Sequence, residues 1–391
     1  MDLGFTPLAN SYLRREDLNR PEATYPLILV FCPECTVLQL LETVSPEVMF
    51  DEYLYFSSYS QTTLQHAQGL ADTLIRESRL DKDSLVVEVA SNDGYLLQYF
   101  AKKGTPVLGI EPAGNIARVA NERGIRTIRN YFNESLSDSL VAQGSMADVV
   151  VANNVFAHVP DPNDLMRGVR KILKSNGIAV VEIPYVKDIV ERCEFDIVYH
   201  EHLFYYTFKA LRELFTRNGL HVKRVEHIPV QGGSLRVYAG RNYEAPSDGS
   251  VDALLEKEES EGMHSLEYYS ILPEKAQELR KNLLALLNAL KAKNAKIAAY
   301  GAAAKATTLL HYVGVGSETI SFVVDRNPHK QGLFMPGNHI PIYDTSKLLE
   351  EKPDYTLILA WNYADEVIKQ SEDYRRAGGK FIIPIPEPVI V

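Results

Sequence analysis

Leu85-Val-Val-Glu88-Val-Ala-Ser91-Asn92-Asp93-Gly94 is the stretch that decides the fold. It opens as a short apolar run over 85–90 and breaks into a polar turn. Runs of the same kind recur at 106–110, 147–152 and 177–183, and helical stretches at 95–103, 116–123 and 163–174 lie between them. Strands that alternate with helices at this spacing imply parallel βαβ units. The stretches 221–227 and 234–239 read as two more strands with no helix between them, so the parallel sheet should end in an antiparallel pair. A second βαβ pattern runs through 296–300, 320–324, 355–361 and 380–384. Between the two patterns, 250–294 is polar and helical, and Pro273 should divide it into two helices. The charge run from Glu256 to Glu261 reads as a solvated helix face. Upstream, 61–79 reads as a helix leading into the first α/β unit. The chain is thus expected to be α/β and divided at 1–60, 61–245 and 246–391, the last part being a helical linker plus a second Rossmann-like domain.

The turn after the first strand selects the ligand. In a doubly wound sheet this loop faces the binding crevice. A dinucleotide site needs several glycines there, so that amides can approach the pyrophosphate. This turn has one glycine, Gly94, and a carboxylate, Asp93. Pyrophosphate and a carboxylate repel each other, whereas S-adenosylmethionine (SAM) carries a sulfonium and an ammonium and tolerates acids. Glu111 stands at the carboxyl end of the second strand, where an acid can accept bonds from ribose hydroxyls. Asn130 and Phe132 are placed to flank an adenine ring. Ser91, Asn92, Asp93, Gly94, Glu111, Asn130, Phe132 and Asn153 are therefore the expected SAM-binding residues. The turn resembles the cofactor loop of class I methyltransferases.

Length and charge bound the alternatives. A chain of 391 residues favours two or three domains. Its 41 Lys and Arg against 51 Asp and Glu leave a net charge of −10. That balance repels a phosphate backbone and argues against nucleic-acid binding, while allowing a local basic site for one small phosphate ligand. There is no apolar run of the roughly 18 residues that a membrane span needs, and residues 1–15 lack the basic-then-apolar order of a secretory signal. Three cysteines, Cys32, Cys35 and Cys193, make no disulfide framework. A cytoplasmic enzyme with no obligate protein partner is expected.

The chemistry-bearing cluster is Tyr199-His200-Glu201-His202. A zinc helix needs its histidines one turn apart, which this spacing does not supply. A histidine titrates near neutral pH, and an adjacent acid can orient it, so general-base work fits better. Asn154 and His158 follow the fourth strand. His158 reads equally as a substrate-side donor and as the cap of the helix after Pro160.

Taken together, Tyr53…Ser57-Ser58, Ser91-Asn92-Asp93-Gly94, Tyr199-His-Glu-His202, Gly232-Gly-Ser-Leu-Arg236-Val-Tyr238 and Tyr300-Gly-Ala-Ala-Ala-Lys305 resemble the sugar C-methyltransferases of deoxysugar biosynthesis. These enzymes methylate C-3 of nucleotide-linked 4-keto-deoxysugars. The resemblance spans nearly the whole chain. It implies a small zinc-binding unit, a SAM domain and a C-terminal domain closing over a nucleotide-sugar partner. It implies His202 as the base with Tyr199 and Glu201 beside it, Asn154 and His158 near the reacting carbon, and Tyr53, Arg236, Tyr300 and Lys305 on the substrate side. The family's zinc unit resembles a four-cysteine site. Here residues 1–60 resemble a truncated form of it with only Cys32 and Cys35, so tight zinc binding is not expected. The alternatives are O- or N-methylation of a small molecule, which needs no carbon base, a nicotinamide enzyme, opposed by the missing G-x-G-x-x-G, and a non-catalytic SAM-fold module, which a buried 199–202 segment away from any cleft would favour.

Overall fold

The computed structural model describes residues 1–50, 53–242 and 246–391. The boundary expected at 245 lies outside the described residues. Three sheets account for the strands.

The central sheet has seven strands, numbered here within that sheet: β1 (Val86–Val89), β2 (Val107–Ile110), β3 (Thr127–Ile128), β4 (Ala147–Asn153), β5 (Leu173–Pro184), β6 (His221–Ile228) and β7 (Ser234–Gly240). Their order is β6-β7-β5-β4-β1-β2-β3. β1 to β5 are parallel, while β7 is antiparallel to both β5 and β6. This is the class I methyltransferase arrangement, with the reversed hairpin that the missing helix between 227 and 234 implied. β1 is buried at all four positions, as a central parallel strand covered on both faces must be. The order reverses between β1 and β4, which opens a crevice at their carboxyl ends.

The first unit is an antiparallel sheet of Asp2–Thr6, Tyr25–Cys32 and Val37–Leu40. Its fourth strand, Phe204–Tyr205, comes from the central part. That pairing fixes the chain immediately after His202 against the N-terminal unit. The C-terminal sheet runs Ile342–Tyr343, Val323–Val324, Ile297–Tyr300, Tyr355–Ile358 and Lys380–Ile383 in parallel, with Val389–Ile390 antiparallel at its edge. One apolar cluster continues through all three parts, joining Leu27 and Leu29, Val87 and Phe156, and Leu283 and Ile297.

Three expectations need correction. The run Glu256–Glu261 is not a wholly solvated face, because Glu258 is fully buried and accepts from the Tyr185 hydroxyl and the Phe208 and Lys209 amides. Pro273 does not divide the helical segment. It is the third residue of Ile271–Ala292, in the first turn, where its missing N–H has no intrahelical partner to lose. The breaks fall instead after Ser250–Ser260 and around Leu266–Tyr269. The run expected as a strand over 355–361 ends at Ile358, and Trp361 begins a short 3₁₀ turn. That turn brings Asn362 and Tyr363 to the crevice.

Candidate active site

A cavity of about 530 Å³ opens at the carboxyl ends of β1, β2 and β4 and is roofed by the C-terminal lobe. At its first end, Asn92 stands in the left-handed region (φ 50°), which asparagine tolerates better than most residues. Its amide donates to Glu111 Oε2 at 3.0 Å, and the Ala113 amide donates to Oε1 at 2.9 Å. Both carboxylate oxygens are thereby held in place, each with a lone pair left over. Burial pushes the Glu111 carboxyl up to about 7 against the pull of these two amides. Asn92 also ties in the N-terminal side: its Oδ1 accepts from the Ser57 amide, and its Nδ2 donates to the Tyr55 carbonyl. Phe132, Asn153 and Asn154 complete this end. The amide oxygens of Asn153 and Asn154 are buried and have no partner within the protein, an arrangement that asks for a ligand donor.

At the far end stand Tyr199, His202 and His158. A carbonyl oxygen can only accept, so His202 Nδ1 must donate to Ile197 O at 2.8 Å. Nε2 is then the lone-pair nitrogen, and the Tyr199 hydroxyl donates to it at 2.9 Å. Burial, with the neighbouring His158, holds His202 well below the usual histidine range. Burial likewise lowers His158 to about 4. Both imidazoles are therefore neutral at pH 7, with ring centres 4.7 Å apart. His158 does not cap the following helix. Asp161 does, accepting from the Asn163 and Asp164 amides, which leaves His158 on the cavity wall. His200 points away and packs on the N-terminal sheet, with Nε2 to Pro26 O at 3.3 Å. Glu201 stands behind the wall, accepting from Tyr53 OH at 3.0 Å and from Asn10 Nδ2 at 2.6 Å. Burial pushes it up to about 7.

The third wall is the C-terminal lobe. The loop after Ile297–Tyr300 turns at Gly301 (φ +96°), where a Cβ would lie 2.8 Å from Ala360 Cβ. Only glycine allows that approach, and it places Ala303, Ala304 and Lys305 at the cavity. Lys305 is buried. Its Nζ donates to Asn362 Oδ1 and lies 4.1 Å from the Trp361 ring centre. Burial lowers its pKa, and the charges of Asp196 and Glu194 oppose that. Asn362 Nδ2 donates to Gln231 Oε1, and Gln231 Nε2 to Tyr363 OH, at 3.0 and 2.9 Å.

Other expected site residues lie elsewhere. Asp93 turns away from the cavity into an ion pair with Arg123 Nη1 at 2.8 Å and a hydrogen bond from Ser58 Oγ. Ser91 and Gly94 do not line the cavity; Ser91 packs over Gly109, where any Cβ would collide with its Oγ. Asn130 is exposed, and its neighbour Tyr131 lines the cavity instead. Arg236 is committed to Glu182, directly across the β5–β7 pair, at 2.6 Å, with Glu226 at 3.2 Å. Tyr300 packs in the C-terminal core. Of the cavity residues not foreseen, Asn10 follows the first strand of the N-terminal unit, Tyr55 lies in the segment before the helix Gln61–Glu77, Gln231 in the turn between β6 and β7, and Tyr363 in the 3₁₀ turn after Tyr355–Ile358.

Cys32 closes the strand Tyr25–Cys32, and Cys35 lies in the turn that follows it. Structural zinc takes four ligands, and the described residues contain no group of three or more ligand-type side chains. Cys193 is buried in the main core. The residues present do not make a zinc site.

This geometry, a β4-side amide pair and a Glu111 crevice facing a histidine–tyrosine pair, can be set against known proteins. C-methyltransferase NovU of Streptomyces niveus is 34% identical over 395 residues, covering all of this chain and 93% of that protein. The chain belongs to the C-methyltransferase family. In this family's terms, residues 229–386 match the C-methyltransferase C-terminal domain, 63–225 a methyltransferase domain and 1–50 a putative zinc binding domain. A ubiquinone biosynthesis O-methyltransferase of Pectobacterium carotovorum is 27% identical over 131 residues, covering 29% of this chain and 54% of that protein. Among solved structures, a magnesium protoporphyrin IX methyltransferase from Synechocystis with bound SAM matches at 14% identity and a TM-score of 0.35, covering 46% of this chain and 79% of that one. Membership of this family makes the enzyme a SAM-dependent methyltransferase, and O- or N-methylation gives way to carbon as the acceptor. None of its described helices is long and apolar enough to cross a membrane.

Proposed function

We propose that the enzyme methylates the carbon beside the ketone, C-3, of a nucleotide-linked 4-keto-deoxysugar through a base-generated enolate. The observation that carries this reading is that one cavity holds the Glu111–Asn92 end, the Tyr199–His202 pair and Lys305. A carbon next to a ketone is acidic enough for a neutral imidazole to deprotonate once the enolate oxygen is stabilised. His202 Nε2 accepts that proton. The imidazolium that forms is costly to bury alone, but the enolate created beside it supplies the opposite charge. Asn154 and His158 are the donors for the enolate oxygen, and the Tyr199 hydroxyl, which donates to Nε2 at rest, turns to that oxygen once Nε2 carries the proton. SAM supplies an electrophilic methyl on sulfonium, and the cavity walls hold the carbon in line with it. Ala303, Ala304 and Lys305, at the start of the helix Ala304–Val313, suit the phosphates or sugar of the substrate. The functional division at 1–60, 61–245 and 246–391 belongs to the same reading, as does a cytoplasmic location. Incubation with methyl-¹³C SAM and a panel of 4-keto-sugar nucleotides should place the label on carbon, seen as a C–CH₃ resonance with loss of one C-3 proton. A methoxy or N-methyl resonance would overturn the proposal.

Glu111 is assigned to the SAM ribose. Glu111→Ala should weaken SAM binding by roughly ten- to a hundred-fold, the worth of hydrogen bonds to a charged group; the Asn92 and Ala113 amides lose their acceptor, so the thermal melt should fall while the chain still folds. Calorimetric titration checks it, and wild-type affinity in the variant would remove the ribose assignment.

A further inference from the structure

A second cavity of about 180 Å³ lies behind the active site, on the side of the N-terminal unit. Its wall includes Leu8, Asn10, Ser11, Met49 and Glu201. Asn10 lines both cavities. Glu201 stands between them, bonded through Oε2 to Tyr53, which faces the main cavity, and through Oε1 to Asn10. Ser11 is exposed, and Val48, also on the wall, is 60% exposed, so the outer end of this cavity meets solvent.

Each methylation exchanges a C–H for a C–CH₃ while the sulfonium becomes a neutral thioether. One proton per turnover is therefore left on the base and must leave before the next cycle. At that moment both products occupy the main cavity. Resting on the carbon-acid reading above, we infer that the second cavity is the exit for this proton, with Glu201 and Asn10 at its inner end. The proton taken from carbon rests on His202 Nε2. The Tyr53 hydroxyl passes its proton to Glu201 Oε2 and recovers one from the Tyr199–His202 side, both tyrosines lining the same cavity. The Glu201 carboxyl then gives the proton to water in the second cavity and returns to carboxylate. No bond to carbon changes in these steps, and His202 ends neutral.

The groups facing Glu201 suit a carrier. Asn10 and Tyr12 come from the N-terminal unit, Tyr53 from the segment after it, Tyr199 from the same loop and Lys330 from the C-terminal lobe. Lys330 Nζ donates to Ala302 O at 2.6 Å, and its charge favours the carboxylate against the burial that pushes Glu201 up to about 7. A carboxyl in that range both accepts and releases a proton at neutral pH. Exit needs the carboxylate form, so kcat should rise with pH through about 7 in wild type, and this limb should be missing in Glu201→Gln.

The decisive experiment plugs the cavity from outside. Ser11→Trp fills its mouth, and Met49→Trp fills it from the opposite wall; neither residue lines the main cavity. With a nucleoside-diphosphate-linked 4-keto-deoxyhexose deuterated at C-3, each folded plug should keep the wild-type first-turnover rate of methyl transfer. Later turnovers should slow several-fold, and the solvent isotope effect on kcat should rise. Formate should restore turnover to Glu201→Ala and fail to restore it to Ser11→Trp/Glu201→Ala. Wild-type turnover and isotope effect in the plugged variants, or formate rescue indifferent to the plug, would overturn the exit alone. Failure of wild type to methylate carbon or to release deuterium would overturn the catalytic reading and the exit with it.

Discussion

Replacing His202 with asparagine should slow methyl transfer by roughly two to four orders of magnitude, the usual cost of losing a general base, while SAM binds as to wild type. Asparagine is the informative replacement. Its amide nitrogen can keep the bond that Nδ1 makes to Ile197 O, so the loop from 197 to 202 retains its anchor, while nothing takes the place of Nε2. Glu201 competes for the role on pKa, because it lies at about 7 and His202 lies well below its usual value. Geometry decides between them. His202 faces the main cavity, whereas Glu201 is separated from it by the Tyr53 hydroxyl, and reach to the carbon precedes matching of pKa. Rapid-quench measurement of the first turnover checks the rate. A His202→Asn enzyme that methylates near the wild-type rate would transfer the role to Glu201.

Lys305→Met should raise KM for the sugar nucleotide by about thirty- to several-thousand-fold, since removing one partner of a buried charge contact costs roughly 2–5 kcal/mol. Lys305 is pre-placed for such a contact: Asn362 accepts from it, the Trp361 face lies beneath it, and the charges of Asp196 and Glu194 oppose the lowering of its pKa by burial. Methionine preserves most of the stem's packing. SAM affinity should be unchanged, because the partners of Lys305, Asn362, Trp361, Asp196 and Glu194, are none of those that hold Glu111. Initial-rate kinetics with both substrates varied checks the assignment, and an unaltered KM for the sugar nucleotide would refute it.

Much of this was legible before the structure, for physical reasons that also explain the gaps. Apolar runs separated by helical stretches reveal a parallel sheet, and a strand end followed by Glu111 or by Asn153-Asn154 points at the crevice because every parallel strand ends there. Asp93 was misread because its partner, Arg123, reaches it from the end of the helix Gly114–Glu122, a contact that depends on how that helix packs. Arg236, which the resemblance implies on the substrate side, is placed opposite Glu182 by the strand register. Alternation along a strand tells which face a side chain takes but not which residue it meets. The Asn10–Glu201 bond joins residues 191 apart in sequence, and no local pattern encodes it. His158 was ambiguous only because Asp161, three residues on, supplies the helix cap.

The central claim is that this enzyme makes a carbon nucleophile at His202. The direct measurement is deuterium entry from heavy water into a 4-keto-sugar nucleotide, with S-adenosylhomocysteine in place of the methyl donor so that proton removal is seen without transfer. Wild type should place deuterium at C-3 only, and His202→Asn should place none while still binding S-adenosylhomocysteine. Exchange at the wild-type rate in the variant, or wild-type methylation of C-3 with no exchange under any condition in which solvent reaches the base, would contradict the mechanism.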